Sequence, residues 1–437
     1  MRSRRVRIGI AVVGISTLAL VLAALGTARQ TPTAAAAGSG TASATKSVCG
    51  LGNGKKATGA PIKLGGMVTL IPGVDFTAIA KITAAYFKCV NENGGINGRP
   101  VSYKYYTEQL KPDQDAALAK QLVEKDKVLG IVGSSSIIEC SVNRKYYEKQ
   151  GYYLIVAGVA PDCFDSPNIA PVNMGPRFSE IGAAQSLVKA GAKSMIVDSN
   201  ATGVEYYNGG AVLVGKQAGL KSQSFGENLP ITDPNSIVTK LVQAAGTGGG
   251  VLLDFTPESA VPLFKAAEAQ GLIDKVKWGS ATPIADDATA KAVGSAWNDK
   301  IFINSELALL HSGGPDETLY EQVSKKYASD VPLQSFGQMG YLSGKFATAA
   351  LLSIKGPINK TTVNAAILGL KNQKTDILCK PWYYGKLPFH IPNNWDITVT
   401  FRDGKVVQTG GCFAIAAVDK SLLQTRAWEK KYKLNTG

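Results

Sequence analysis

Along this chain, short apolar runs rich in β-branched residues alternate with stretches whose apolar residues recur every three or four positions. Ile62–Leu70 is a run of the first kind and predicts a strand. Phe76, Ile79, Thr83, Phe87 and Val90 then share one helical face, with Asp75 placed to cap it. Asn93-Gly94-Gly95 closes that helix and Asn97-Gly98 makes a tight turn. Val101–Thr107, Val128–Gly133 and Tyr153–Gly158 follow as strands, separated by helical patterns over Asp113–Lys125 and Cys140–Gln150. Such strand–helix alternation builds a parallel sheet covered by helices on both faces.

The pattern restarts near Phe178. Helices are predicted over Ser179–Ala190, Tyr206–Ala218, Pro234–Ala245 and Ser259–Gln270. Strands fall at Ser194–Asp198, Lys221–Gly226, Gly250–Phe255, Val276–Gly279 and Lys300–Ser305. Pro315–Ser329 and Gly337–Ile354 read as helices again. The fold class is therefore α/β, with two doubly wound parallel-sheet lobes. Ligands of such sheets bind beyond the carboxyl ends of the strands, so two facing lobes define a cleft.

The first residues stand outside this pattern. Arg2, Arg4, Arg5 and Arg7 precede an apolar run from Ile8 to Leu25, followed by small-residue sites such as Ala42-Ser43-Ala44. That is the layout of a secretory signal, with a retained membrane anchor as the alternative. Residues 29–60 are rich in Ala, Thr, Ser and Gly and read as a flexible tether. No Cys near the end of the apolar run supports a lipid-anchored form. An exported chain with six cysteines points to disulfides. Spacing alone leaves fifteen pairings open, and local logic favours Cys140–Cys163, with Cys379–Cys412 and Cys49–Cys89 completing the set. The net charge is +14, and removal of residues 1–44, with five Arg and no acid, leaves +9. The lysines are scattered and no nucleic-acid motif accompanies them, which predicts a solvated basic surface and no nucleic-acid partner.

The phrase Asn91-Glu92-Asn93-Gly94-Gly95-Ile96-Asn97-Gly98-Arg99 after the first helix resembles a signature of the type I periplasmic-binding-protein fold, typified by leucine/isoleucine/valine-binding proteins. Gly130-Ile131-Val132-Gly133 with Ser134, Ser135 and Ser136, and Ile196-Val197-Asp198 with Gly203, are similar to that family too. The resemblance covers roughly Ile62 to Cys412. It implies a monomeric, cofactor-free binding protein that delivers a small-molecule solute to the membrane permease of an ABC importer. A sensor ectodomain signalling to a membrane partner is the alternative. It also implies a three-strand hinge, with crossings near Asn173–Pro176, Ser305–Leu307 and Pro381–Lys386. Expected boundaries are 1–44 for signal and tether and 45–61 for a linker. Lobe 1 takes 62–175 plus 306–383, and lobe 2 takes 176–305 plus 384–437.

Ligand contacts are expected at strand ends. Ser134, Ser135 and Ser136 precede a helix whose amides and dipole suit a carboxylate or carbonyl oxygen. The same residues also suit simple helix capping. Ala160 stands where the family contributes backbone groups. Thr202 holds a loop position where relatives often carry Tyr, and Tyr206 and Tyr207 just beyond it are placed to stack on a ligand, with helix core as the alternative for one of them. Asp254 and Thr256 end another strand, Asp254 being suited to a cationic group or to a helix cap. Where amino-acid binders of the family place an acid, this chain has Ser280, Ala281 and Thr282, which puts an amino-acid ligand in doubt. No Gly-x-Ser-x-Gly elbow, Walker pattern or His-Glu-x-x-His motif occurs. Only His311 and His390 are present, so neither an enzyme nor a metal centre is predicted.

Overall fold

The computed structural model describes residues 47–436; the predicted signal and most of the tether lie outside them. Lobe 1 carries six strands: β1 (Ile62–Ile71), β2 (Val74–Asp75), β3 (Val101–Glu108), β4 (Gly130–Ser134), β5 (Leu154–Val156) and β6 (Ile169–Pro171). β3, β1, β4, β5 and β6 lie side by side and parallel, while β2 folds back antiparallel on the end of β1. Every residue of β4 and β5 is buried, as expected of central strands covered on both faces. The edge strand β3 instead alternates, with Val101 buried and Ser102 exposed.

Lobe 2 carries β7 (Ser194–Asn200), β8 (Lys221–Glu227), β9 (Gly250–Asp254), β10 (Lys277–Ser280), β11 (Ile301–Ser305), β12 (Trp395–Arg402), β13 (Lys405–Gln408) and β14 (Phe413–Ala414). The order β13-β12-β11-β10-β9-β7-β8 is parallel from β11 to β8. β12 and β13 extend this sheet antiparallel, an addition that the strand–helix alternation did not foreshadow. The helices Asp287–Val293, Lys360–Leu368 and Lys420–Tyr432 likewise appear only in the structure.

Three apolar clusters hold these layers. One packs the helices Thr77–Glu92, Pro315–Tyr327 and Ser335–Ser353 on one face of the lobe 1 sheet. A second joins the opposite face, through Met67, Ile131 and Leu154, to Phe178, Ile181 and Leu187 of the helix Gly175–Lys189. The third fills lobe 2, where Phe264, Trp278 and Trp297 meet edge to face at 4.9–6.3 Å. Such aromatic pairs add about 0.5–1.5 kcal/mol each beyond their buried area.

The Gly-Gly-Ile phrase has a local physical cause. Gly95 sits at φ +58° and a Cβ there would lie 2.4 Å from the Arg99 carbonyl. The Ile96↔Arg99 bridge that turns the chain into β3 closes only around glycine. Residues 47–61, expected to be tether and linker, are fastened to lobe 1. Ala57 donates its amide to the Asn91 carbonyl and Gly59 to that of Gly98, and Cys49 is bonded to Cys89. The other bridges are Cys140–Cys163 and Cys379–Cys412.

The chain leaves lobe 1 after β6, returns after β11 and leaves again before β12. The Asn393 amide donates to the Glu306 carbonyl at 3.2 Å and to that of Val172 at 3.5 Å, so one side chain fastens all three crossings. The third crossing thus falls later than Pro381–Lys386. Trp382 stacks on Phe346 and donates to the Pro171 carbonyl, and the His390 amide donates to that of Phe164. These buried bonds keep the segment on lobe 1 until just before Asn393.

Candidate functional site

The two sheets point their carboxyl ends at each other across a cavity of about 100 Å3, walled by both lobes as ligand clefts of this topology are. Lobe 1 contributes Val74, Phe76, Ile79, Ser135, Ile137, Val159, Phe336 and Met339; lobe 2 contributes Ser199, Asn200, Tyr207, Leu229, Asp254, Phe255, Thr256 and Pro283. Asn173 and Glu306 reach in from the crossings. The rims touch. Thr256 Oγ1 donates to the Gly73 carbonyl at 3.1 Å, joining the end of β9 to the turn between β1 and β2. Gly73 takes φ +86°, and a Cβ there would come within 3.4 Å of Leu229 and 3.5 Å of Pro230. Leu229 packs against the cores of both lobes, and Tyr207 of lobe 2 is buried in the lobe 1 cluster. The cleft stands closed.

The serine loop does not serve the cleft as its sequence suggested. Only Ser135 lines it. Ser134 Oγ accepts the Met67 amide at 3.0 Å and donates to Glu139 at 3.3 Å. Ser136 Oγ donates to Glu108 at 2.9 Å and accepts the amides of Ile138 and Glu139 at 3.1 and 3.0 Å. The Ile137 amide goes to Thr69 Oγ1 at 2.9 Å. The Thr69 and Ser136 hydroxyls therefore take the amides of Ile137, Ile138 and Glu139 at the start of the helix Glu139–Lys149. Behind this loop lie the buried Glu108, Asp115 and Glu139. Burial raises Asp115 to about 7 and Glu139 to about 8, and neighbouring carboxyls push the same way.

Other expected contacts also lie elsewhere. Ala160 is buried in the cluster on the far face of the sheet, leaving Val159 at the cleft. Thr202 is exposed, and its amide donates to Asn200, which lines the cleft instead. The Tyr206 ring lies 5.0 Å from the Arg177 guanidinium, and Arg177 pairs with Asp419 at 2.9 Å. Ser280 Oγ donates to the Leu253 carbonyl at 2.6 Å. Thr282 Oγ1 lies 3.0 Å from Ser179 Oγ and accepts the Glu306 amide at 3.1 Å. Both are fully buried beneath the cavity and hold its floor together.

Asp254 and Thr256 do reach the cavity, and they bring acids that the sequence pattern did not single out. Asp254 keeps 8 % of its surface accessible, and its Oδ2 has no hydrogen-bond donor among the described residues. Burial raises its carboxyl to about 6, while Glu180 on the helix behind it acts in the opposite direction by hydrogen bonding. Glu180 is itself held well above the usual carboxylate range, first by burial and then by the Asp254 charge. Of the two carboxyls, burial therefore leaves Glu180 holding its proton the more tightly. Burial likewise raises Glu306, against the lowering effect of the Met174 amide that it accepts. Among the described residues, no Lys, Arg or His lines the cavity.

Residues 73–396 match the family model of the periplasmic binding proteins. The chain belongs to that family. Among solved structures it is similar to a branched-chain amino acid ABC transporter protein from Thermus thermophilus with bound valine (14% identity, TM-score 0.71, covering 84% of this chain and 100% of that one). A fatty acid ABC transporter substrate-binding protein from Thermomonospora curvata is similar too (17% identity, TM-score 0.67, 84% and 95% covered). So is a solute-binding protein from R. palustris in complex with benzoate (16% identity, TM-score 0.63, 83% and 99% covered). At these identities the likeness is one of fold. No curated protein sequence matches the chain.

Proposed function

We propose that this protein is the extracytoplasmic solute-binding component of an ABC importer, capturing a small solute by closing two lobes and handing it to a membrane permease. The observation that carries this reading is the cavity walled by both lobes and crossed at its rim by the Thr256–Gly73 hydrogen bond. Ligand that touches both walls stabilises the closed arrangement over the open one, which is how hinge closure follows from binding. The basic n-region and the disulfides support export. No helix among the described residues is long and apolar enough to cross a membrane, so the proposed permease would supply the passage.

A thermal-shift screen across amines, amides, amino acids, aromatic acids and sugars tests the reading, followed by solution scattering on each hit. A ligand at about 100 times its dissociation constant adds about 2.7 kcal/mol to stability, and the expected hit also makes the protein more compact. A screen in which no solute raises the midpoint or compacts the chain overturns the proposal.

A further inference from the structure

The two walls of the cavity differ in what they leave free, and the difference selects a ligand. We propose that the solute is a small hydrophobic amine without a carboxylate, its protonated nitrogen held by Asp254 and its hydrocarbon body by the aromatic wall. This inference rests on the solute-binding reading above.

On the cationic side, Asp254 is more than nine-tenths buried, lines the cavity and has an oxygen with no donor among the described residues. An ammonium group, with three N–H donors, supplies what this oxygen lacks. Phe76, Tyr207, Phe255 and Phe336 line the same space, and aromatic faces favour a cation further. Ile79 and Met339 leave the rest of the wall apolar.

On the anionic side, no basic side chain among the described residues lines the cavity. The amides of Ile137, Ile138 and Glu139 are taken by Thr69 and Ser136 hydroxyls. Arg177 is engaged by Asp419 and by the Tyr206 carbonyl. A carboxylate in the cavity would lie desolvated beside Asp254 and Glu306, with only neutral groups such as Ser135 and Asn173 to face it. That arrangement disfavours fatty acids and benzoates strongly, and zwitterionic amino acids in part.

The test is calorimetric titration of the full exported chain with matched pairs. Benzylamine is set against benzoate, 3-methylbutylamine against 4-methylpentanoate, and leucinamide against leucine. Each amine is expected to bind at least about tenfold tighter than its carboxylate partner. Asp254→Asn is expected to weaken the amines by about ten- to a hundredfold while leaving the thermal midpoint of the free protein unchanged or higher. Amine affinity should also fall as pH drops through about 6, where Asp254 takes up a proton. The titratable groups facing it are Glu180, Tyr207 and Glu306, with Arg177 and Asp198 acting on Glu180 from behind. Equal or tighter binding of a carboxylate, or an amine affinity indifferent to Asp254→Asn, overturns the inference and leaves the solute-binding reading intact. Absence of binding in every pair also overturns it, and the broader screen then decides the solute-binding reading separately.

Discussion

Two strand ends of this molecule occupy equivalent places and do opposite things. In lobe 1 β4 runs into Ser134–Ser136 and then a helix; in lobe 2 β9 runs into Asp254–Thr256 and then a helix. Both stand at the carboxyl edge of a parallel sheet, where topology puts ligands. Yet Ser134 and Ser136 turn inward to satisfy buried carboxyls and helix amides, while Asp254 and Thr256 turn outward to the cavity and the opposite lobe. Position in the topology makes a loop eligible to bind. What its hydrogen-bonding groups already hold decides whether it does.

The sharpest way to break this contrast is at Ser136. Ser136→Ala removes the acceptor of two amides and a donor to buried Glu108. We expect a loss of about 2–3 kcal/mol in unfolding free energy, read by denaturant titration, with ligand affinity changed less than stability. Ser135→Ala, one residue away, is expected to change stability by less than about 0.5 kcal/mol. If the neighbouring substitutions cost the same, the division of the loop into an inward and an outward group fails.

Acidification probes the buried carboxyls of both lobes next. Asp115 at about 7, and Glu139 and Asp198 at about 8, have folded values above their unfolded ones. A raised carboxyl binds its proton more tightly in the folded chain, so its contribution is fully present below the unfolded value. That contribution is lost as pH rises through the folded value. The melting temperature should therefore climb by several degrees between pH 8 and 6. Below about 6.5 the trend is opposed by His390, whose burial lowers it and whose neutral form the folded chain prefers. A flat melting profile from pH 8 to 6 would mean that Asp115, Glu139 and Asp198 are not buried as described.

The smallest effect belongs to the latch. Thr256→Val keeps the shape and removes the bond to the Gly73 carbonyl. It should weaken ligand binding by about five- to tenfold, equivalent to about 1 kcal/mol, through the closed state alone. Scattering should show less compaction at subsaturating ligand, while melting of the free protein moves little. Full closure at wild-type affinity would remove Thr256 from the account of the rim.

Much of the architecture was legible before any fold was known, because period and punctuation are local. The helix Pro234–Ala245 occupies the span its pattern predicted, and the strand–helix alternation is that of two parallel sheets. β12 and β13 escaped because they are added across the hinge, antiparallel, from a segment with no helix beside it. At the site, a rule that prizes strand-end serines could find Ser135 but could not separate it from Ser134 and Ser136. Strand-end carboxylates, by the same rule, yielded Asp254. Glu180 and Glu306 carried no such signal, lying in a helix and a crossing whose sequence neighbours do not resemble a binding loop.

By itself, the sequence determined the two-lobed α/β class, the cleft between strand ends and the absence of an acid at Ser280–Thr282, since these follow from spacing and residue identity. Only the tertiary structure decided the polarity of the cleft. Hydroxyls and carboxyls are defined by what remains unpaired after folding, and each pairing joins residues far apart in the chain. Ser136 meets Glu108 and Thr256 meets Gly73, while an Asp254 oxygen is left without a partner.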